Sequence, residues 1–150
     1  MRIRDYRIRS GVTIELFSTI KDLDGNLLGA SDLDSLTLTL IDELTHGVIN
    51  NRSAQDILNV NGGVLDEAGN LSLRLDPDDM GITNTGLPRE WHDAQLTWLW
   101  TLGSPAVQYT GFASLKFRVL NVAYLPSPLI TGVSSALVSA GWRFWRPCGC

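Results

Sequence analysis

The sequence predicts an all-β domain, an antiparallel sandwich of roughly seven strands. Three observations point there. Apolar and polar residues alternate in several separate short runs. Turn residues (Gly, Asn, Asp and Pro) recur between those runs. No stretch carries the long 3.6-residue period of an amphipathic helix.

The elements follow in order. In 11–20, "GVTIELFSTI" sets Val12, Ile14 and Leu16 against Thr13, Glu15 and Phe17, the pattern of a half-buried strand. Residues 21–34 are turn and loop, with Asp24 and Gly25 as tight-turn residues. "SLTLTLIDEL" (35–44) alternates Leu36, Leu38 and Leu40 with Thr37 and Thr39, the clearest strand of all, and Thr45, His46 and Gly47 turn it. Ser53 is placed to cap one helical turn over 53–60. Two strands, 62–66 and 70–75, flank a hairpin connection in which Gly69 takes the left-handed position. "DPDDMG" (76–81) reads as a short helix, with Asp76 as cap, Pro77 first, Asp79 near the positive end and Gly81 as terminator. "AQLTWLWT" (94–101) puts Ala94, Leu96, Trp98 and Trp100 on one face. "ASLKFRVLNV" (113–122) puts Leu115, Phe117 and Val119 on one face and Lys116 and Arg118 on the other. The expected core includes Leu36, Leu38, Leu40, Leu73, Leu96, Trp98 and Phe117.

At 150 residues there is room for one domain with extensions. We expect a basic N-terminal arm over 1–11, the sandwich over 12–122 and an extended tail over 123–150. The net charge of −4 is unevenly spread. Arg2, Arg4, Arg7 and Arg9 crowd the first ten residues, and after Asp93 there is no acidic residue. Basic ends around an acidic middle suit extensions that dock on an acidic surface, such as another copy of the chain. A nucleic-acid module would be basic across a whole face, so no specific nucleic-acid partner is expected. No apolar run reaches the roughly 18–20 residues of a membrane-spanning helix, so no membrane partner is expected either. The first residues lack a signal-peptide core, which predicts synthesis in a cytosol without a cleaved signal.

Chemistry-bearing patterns are sparse. "DLDGN" (22–26) starts like a calcium loop, but Leu27 and Leu33 stand where such a loop needs Gly and Glu, so it reads as a turn. Helix capping accounts for the carboxylates of "DPDD". His46 and His92 fall in an expected turn and a solvated loop, with Glu90 and Asp93 placed to tune His92. Cys148 and Cys150 can neither staple the fold nor hold a metal alone. The sequence therefore predicts no enzyme and no cofactor. Trp98 and Trp100 read as core, and Trp91 is the freer ring. The tail, "GWRFWRPCGC" (141–150), concentrates Trp142, Arg143, Phe144, Trp145 and Arg146, residue types that anchor protein interfaces. These five, with the four N-terminal arginines, are the expected protein-interface residues.

The order of motifs over 13–122 resembles that of small virion proteins of tailed bacteriophages. The likeness lies in a "DxxGN…L.L…D" hairpin and corner, then an acidic-His-aromatic strand, "REWHDAQLTWLWT", then "KFRVLNV". It is to minor structural proteins with an immunoglobulin-like sandwich. The cysteine pair and tyrosine corner of antibody domains are missing, and "WRFWRPCGC" has no counterpart. The resemblance implies a non-enzymatic, multi-copy role in the virion, in the head-to-tail (neck or adaptor) or fibre-attachment region. Partners would be copies of the chain and other virion proteins: portal, adaptor, tail or capsid. The alternatives are a capsid decoration protein, or a carbohydrate- or receptor-binding sandwich using Trp91 and nearby loops.

Overall fold

Alternation decides which side chains face inward, and pairing then decides which strands share them. The computed structural model describes residues 7–124. Its strands are β1 (Arg7–Arg9), β2 (Ile14–Thr19), β3 (Leu33–Asp42), β4 (Gln55–Asp56), β5 (Gly63–Leu65), β6 (Asn70–Leu75), β7 (Arg89–Leu102) and β8 (Val107–Leu120). Short 3₁₀ turns at Ala30–Asp32, Pro77–Met80 and Val122–Tyr124 are the helical content of the described residues. The protein is all-β.

One sheet has the order β1-β8-β7-β3-β4 and the other β2-β6-β5. Leu36, Leu38 and Leu40 of β3, Leu96, Trp98 and Trp100 of β7 and Phe117 and Val119 of β8 share a core with Leu65, Leu71, Leu73 and Leu75 of the smaller sheet. Every residue expected in the core is buried. Removing such apolar area from water is the main force holding the two sheets together. Trp98 also donates its indole N–H to Lys21 O (3.1 Å), tying the 21–27 loop to the core. Gly111 lies opposite Trp98 in the β7–β8 register, and a Cβ built there would sit 2.1 Å from the indole. That position is glycine because the ring occupies the space a side chain would need.

Three features differ from expectation. First, the larger sheet is mixed, because β1 runs parallel to β8 with Ile8 opposite Val119. Ile8 packs on the core, so residues expected to belong to a basic arm instead form an edge strand. Second, 53–60 is not a helical turn. Gln55 and Asp56 pair with β3, Ile57 N–H donates to Leu36 O (2.9 Å), and Ala54 has φ of 46°. Burying Ile57 against β3 overrides the local helical preference. Third, β7 begins at Arg89, several residues ahead of the expected strand, and forms with β8 a hairpin of two long strands.

Two turns have the same construction. In Asp22–Asn26 and Asp66–Asn70 the leading carboxylate accepts from the N–H two residues on (2.9 Å in both), from the N–H four residues on (2.8 Å in both), and from the Asn side chain. The glycines before the asparagines, Gly25 and Gly69, have φ of 87° and 78°. The hairpin expected at 66–69 forms as expected, and "DLDGN" is a turn of the same type, closed by a Lys21–Leu27 bridge. These hydrogen bonds hold both aspartates below the usual carboxylate range, the Asn side chain contributing most.

Candidate functional site

At one end the inner face changes character. Along β3, Leu36, Leu38 and Leu40 lead to Asp42, and along β7, Trp98, Leu96 and Ala94 lead to His92 and Glu90. Asp42 lies opposite His92 in the register, and all three ionisable residues are buried. This is where His92 departs from expectation. It lies within a strand and not in a solvated loop, edge-on to Phe117 with ring centroids 5.7 Å apart. Burial pushes its pKa below the ordinary value of 6.5, opposed by Glu90, whose Oε2 lies 3.4 Å from Nε2, and by Asp42 and the Asp79 backbone. At neutral pH the imidazole is uncharged. Asp93, the other expected tuning group, faces the opposite side and accepts from Gln95 (2.9 Å) and Ser114.

The two carboxylates are engaged by loops. Glu90 accepts from Thr83 N–H (2.8 Å), Thr83 Oγ1 (3.1 Å) and Asn84 N–H. Asp42 accepts from Leu44 N–H (3.3 Å), Thr45 N–H (3.2 Å) and Thr45 Oγ1 (2.6 Å). Burial pushes Asp42 upward, but these bonds, with Thr45 foremost, and the nearby His92 hold it below the carboxylate range. A carboxylate saturated by backbone donors is a poor proton acceptor. These groups organise the ends of loops.

Behind them lies a buried ion pair. Asp79 receives Arg52 in two parallel bonds, Nε to Oδ1 at 2.5 Å and Nη2 to Oδ2 at 2.7 Å. The same carboxylate accepts from Asn50 Nδ2 (2.9 Å) and Asp76 N–H (2.8 Å), while Arg52 Nη1 donates to Gln55 Oε1 (2.7 Å) and Asn61 O (3.1 Å). One pair thus fastens the 50–61 loop to the 76–81 turn. Asp79 does more than cap that turn, and Arg52 carried no expectation. The signal available in the sequence was a lone arginine, the only one between Arg9 and Arg74, set among asparagines.

A cavity of about 340 Å³ opens beside this end, lined by Asp42, Glu43, Leu44, Arg89, Glu90 and Trp91, with Leu87 at its edge. Trp91 has the Arg118 guanidinium over its ring at 4.9 Å, a cation–π contact. That face of the ring expected to be the freest is covered. Lys116 is paired with Glu43 on the same side of the sheet. His46 lies in the exposed turn after β3, as expected.

Of the expected interface residues, Arg9 is exposed at the end of β1, and Arg7 pairs in register with Arg118. Arg2, Arg4, Trp142, Arg143, Phe144, Trp145 and Arg146 lie outside the described residues. The described surface carries a different interface signal. β2 is an edge strand of the smaller sheet, and among the described residues β1 pairs with β8 at Arg118–Leu120. Phe17 on β2 and Phe112 on β8 are 75% and 61% exposed. Compared with known proteins, the chain matches no protein-family model and no curated sequence.

Proposed function

We propose that the chain is a non-catalytic structural protein of a tailed-phage virion. In this reading it is an immunoglobulin-like sandwich present in multiple copies in the head-to-tail or fibre-attachment region. Capsid decoration is the nearest variant. The observation that carries the interaction role is the exposure of Phe17 on the edge strand β2 and of Phe112 on β8. Exposed edges and large apolar side chains are liabilities for a protein that stays alone, and assets for one that assembles. The buried ionisable groups support the non-catalytic reading, since Asp42, Glu90, Arg52 and Asp79 all fasten loops. The virion setting rests on the motif order over 13–122. Its partners are then other copies and neighbouring virion proteins.

Mass spectrometry of purified phage particles that carry this gene tests the proposal. The protein should be present in a fixed multiple of copies per particle, and imaging should place it at the neck or a fibre base. Particles that mature without it in their composition would sink the reading.

A further inference from the structure

The chain's only Asn–Gly step is Asn61–Gly62, and the fold dictates both residues. Asn61 has φ of 50° and Gly62 φ of 93°, a left-handed pair that leads the chain into β5. Asparagine tolerates that region better than most side chains. Nothing larger than glycine fits at 62, since a Cβ there would lie 2.5 Å from Arg74 O. The same requirement makes a reactive dipeptide. With no side chain on Gly62, nothing shields its nitrogen from the amide carbon of Asn61. In an unrestrained chain that nitrogen, once its proton has passed to solvent base, bonds to Asn61 Cγ. The Cγ–Nδ2 bond breaks, ammonia leaves with a proton from solvent, and a five-membered imide remains. Water then opens the imide at either carbonyl, giving aspartate or isoaspartate.

The geometry points to Asn61 as a deamidation site that the Arg52–Asp79 pair holds closed. Three bonds fix the reacting groups. Asn61 O accepts from Arg52 Nη1 (3.1 Å), Asn61 Nδ2 donates to Asp56 O (2.8 Å), and Gly62 O accepts from Arg74 N–H (2.8 Å). Closing the imide rotates the Asn61 side chain and turns the planar Asn61–Gly62 peptide about the Cα–C bond. The first motion takes Nδ2 from Asp56, and the second takes Asn61 O from Arg52. Arg52 cannot follow, because its other nitrogens are fixed on buried Asp79 at 2.5 Å and 2.7 Å. Attack therefore waits for the 50–61 loop to open, and its rate scales with the open fraction. Asn61 is exposed among the described residues, so these bonds, and not burial, restrain it. Arg52 is thus a positioning residue for an asparagine that would otherwise react. Isoaspartate carries the main chain through Cβ and displaces the carbonyl that Arg52 holds, so a loop that has reacted does not lock again. The site is independent of any role in the virion.

Peptide mapping by mass spectrometry, following the full-length chain over time at mildly alkaline pH, provides the test. Folded wild type should convert Asn61 at least about tenfold more slowly than the same chain held unfolded in denaturant. Arg52→Lys keeps a cation for Asp79 but loses the fork that reaches Asn61 O. It should speed conversion in the folded protein by about tenfold. The same direction is expected of Asp79→Asn, which keeps the shape but weakens the hold on the guanidinium. Denaturant melts give the unfolded fraction of each variant, and the acceleration should exceed the rise in that fraction. Equal rates for folded and unfolded wild type overturn the proposal. Folded variants that react at the wild-type rate also overturn it. So does an acceleration no greater than the rise in unfolded fraction, because global unfolding and not the ion pair would then set the rate.

Discussion

His92 shows how one residue changes meaning once its strand is known. In the unfolded chain its imidazole takes a proton near pH 6.5, whereas in the fold burial holds the pKa lower. Between those two values the unfolded state binds more protons, so stability falls as pH drops below about 6.5 and levels off below the folded pKa. The slope in that window is at most about 1.4 kcal/mol per pH unit for one group. His92→Gln should flatten it, and urea melts at several pH values measure the change. Asp42 works in a separate, more acidic window. Its folded pKa is depressed, so its contribution is present above the unfolded value near 3.8 and lost as pH falls through the folded one. A His92→Gln profile with the wild-type slope would assign the pH dependence to other groups.

At the scale of elements, legibility followed the apolar pattern. Residues 35–44 and 70–75 could be read because leucines alternate there and face one core. The start of β7 was hidden because its inward positions hold Glu90 and His92, which look like loop residues until loop donors and a neighbouring strand are seen to satisfy them. β1 was hidden because three residues cannot show a period, and its partner lies more than a hundred residues away. The site was less legible than the fold: alternation marks inward positions, but nothing local joins Arg52 to Asp79 across 27 residues. That pair yields a prediction for the element it fastens. Arg52→Met leaves a buried carboxylate without its counter-charge and should cost about 3–5 kcal/mol in denaturant melts. Arg52→Met combined with Asp79→Leu should recover much of this. It should not recover all of it, since Asn50 and Asp76 also donate to Asp79. A double variant no more stable than Arg52→Met would show that those donors, and not the charge pair, hold the loop.

For the whole molecule, the question is whether the aromatic tail belongs to the domain or to the assembly. The core cluster is drawn from residues between Ile20 and Val119 and is shared by both sheets. Its largest members, Trp100, Phe117 and Ile20, are almost completely enclosed by the described residues. A core closed in this way does not require Trp142, Phe144 and Trp145. Each of those rings can bury about 150–250 Å², more than a solvated end would usefully display. Deleting residues 141–150 should therefore shift the melting temperature by no more than about 2–4 °C, the range of a surface change. The same deletion should abolish incorporation into particles, read by mass spectrometry of virions grown with the truncated gene. Normal incorporation would remove the tail from the assembly contact. A collapse in melting temperature would instead place its rings in the domain's own core.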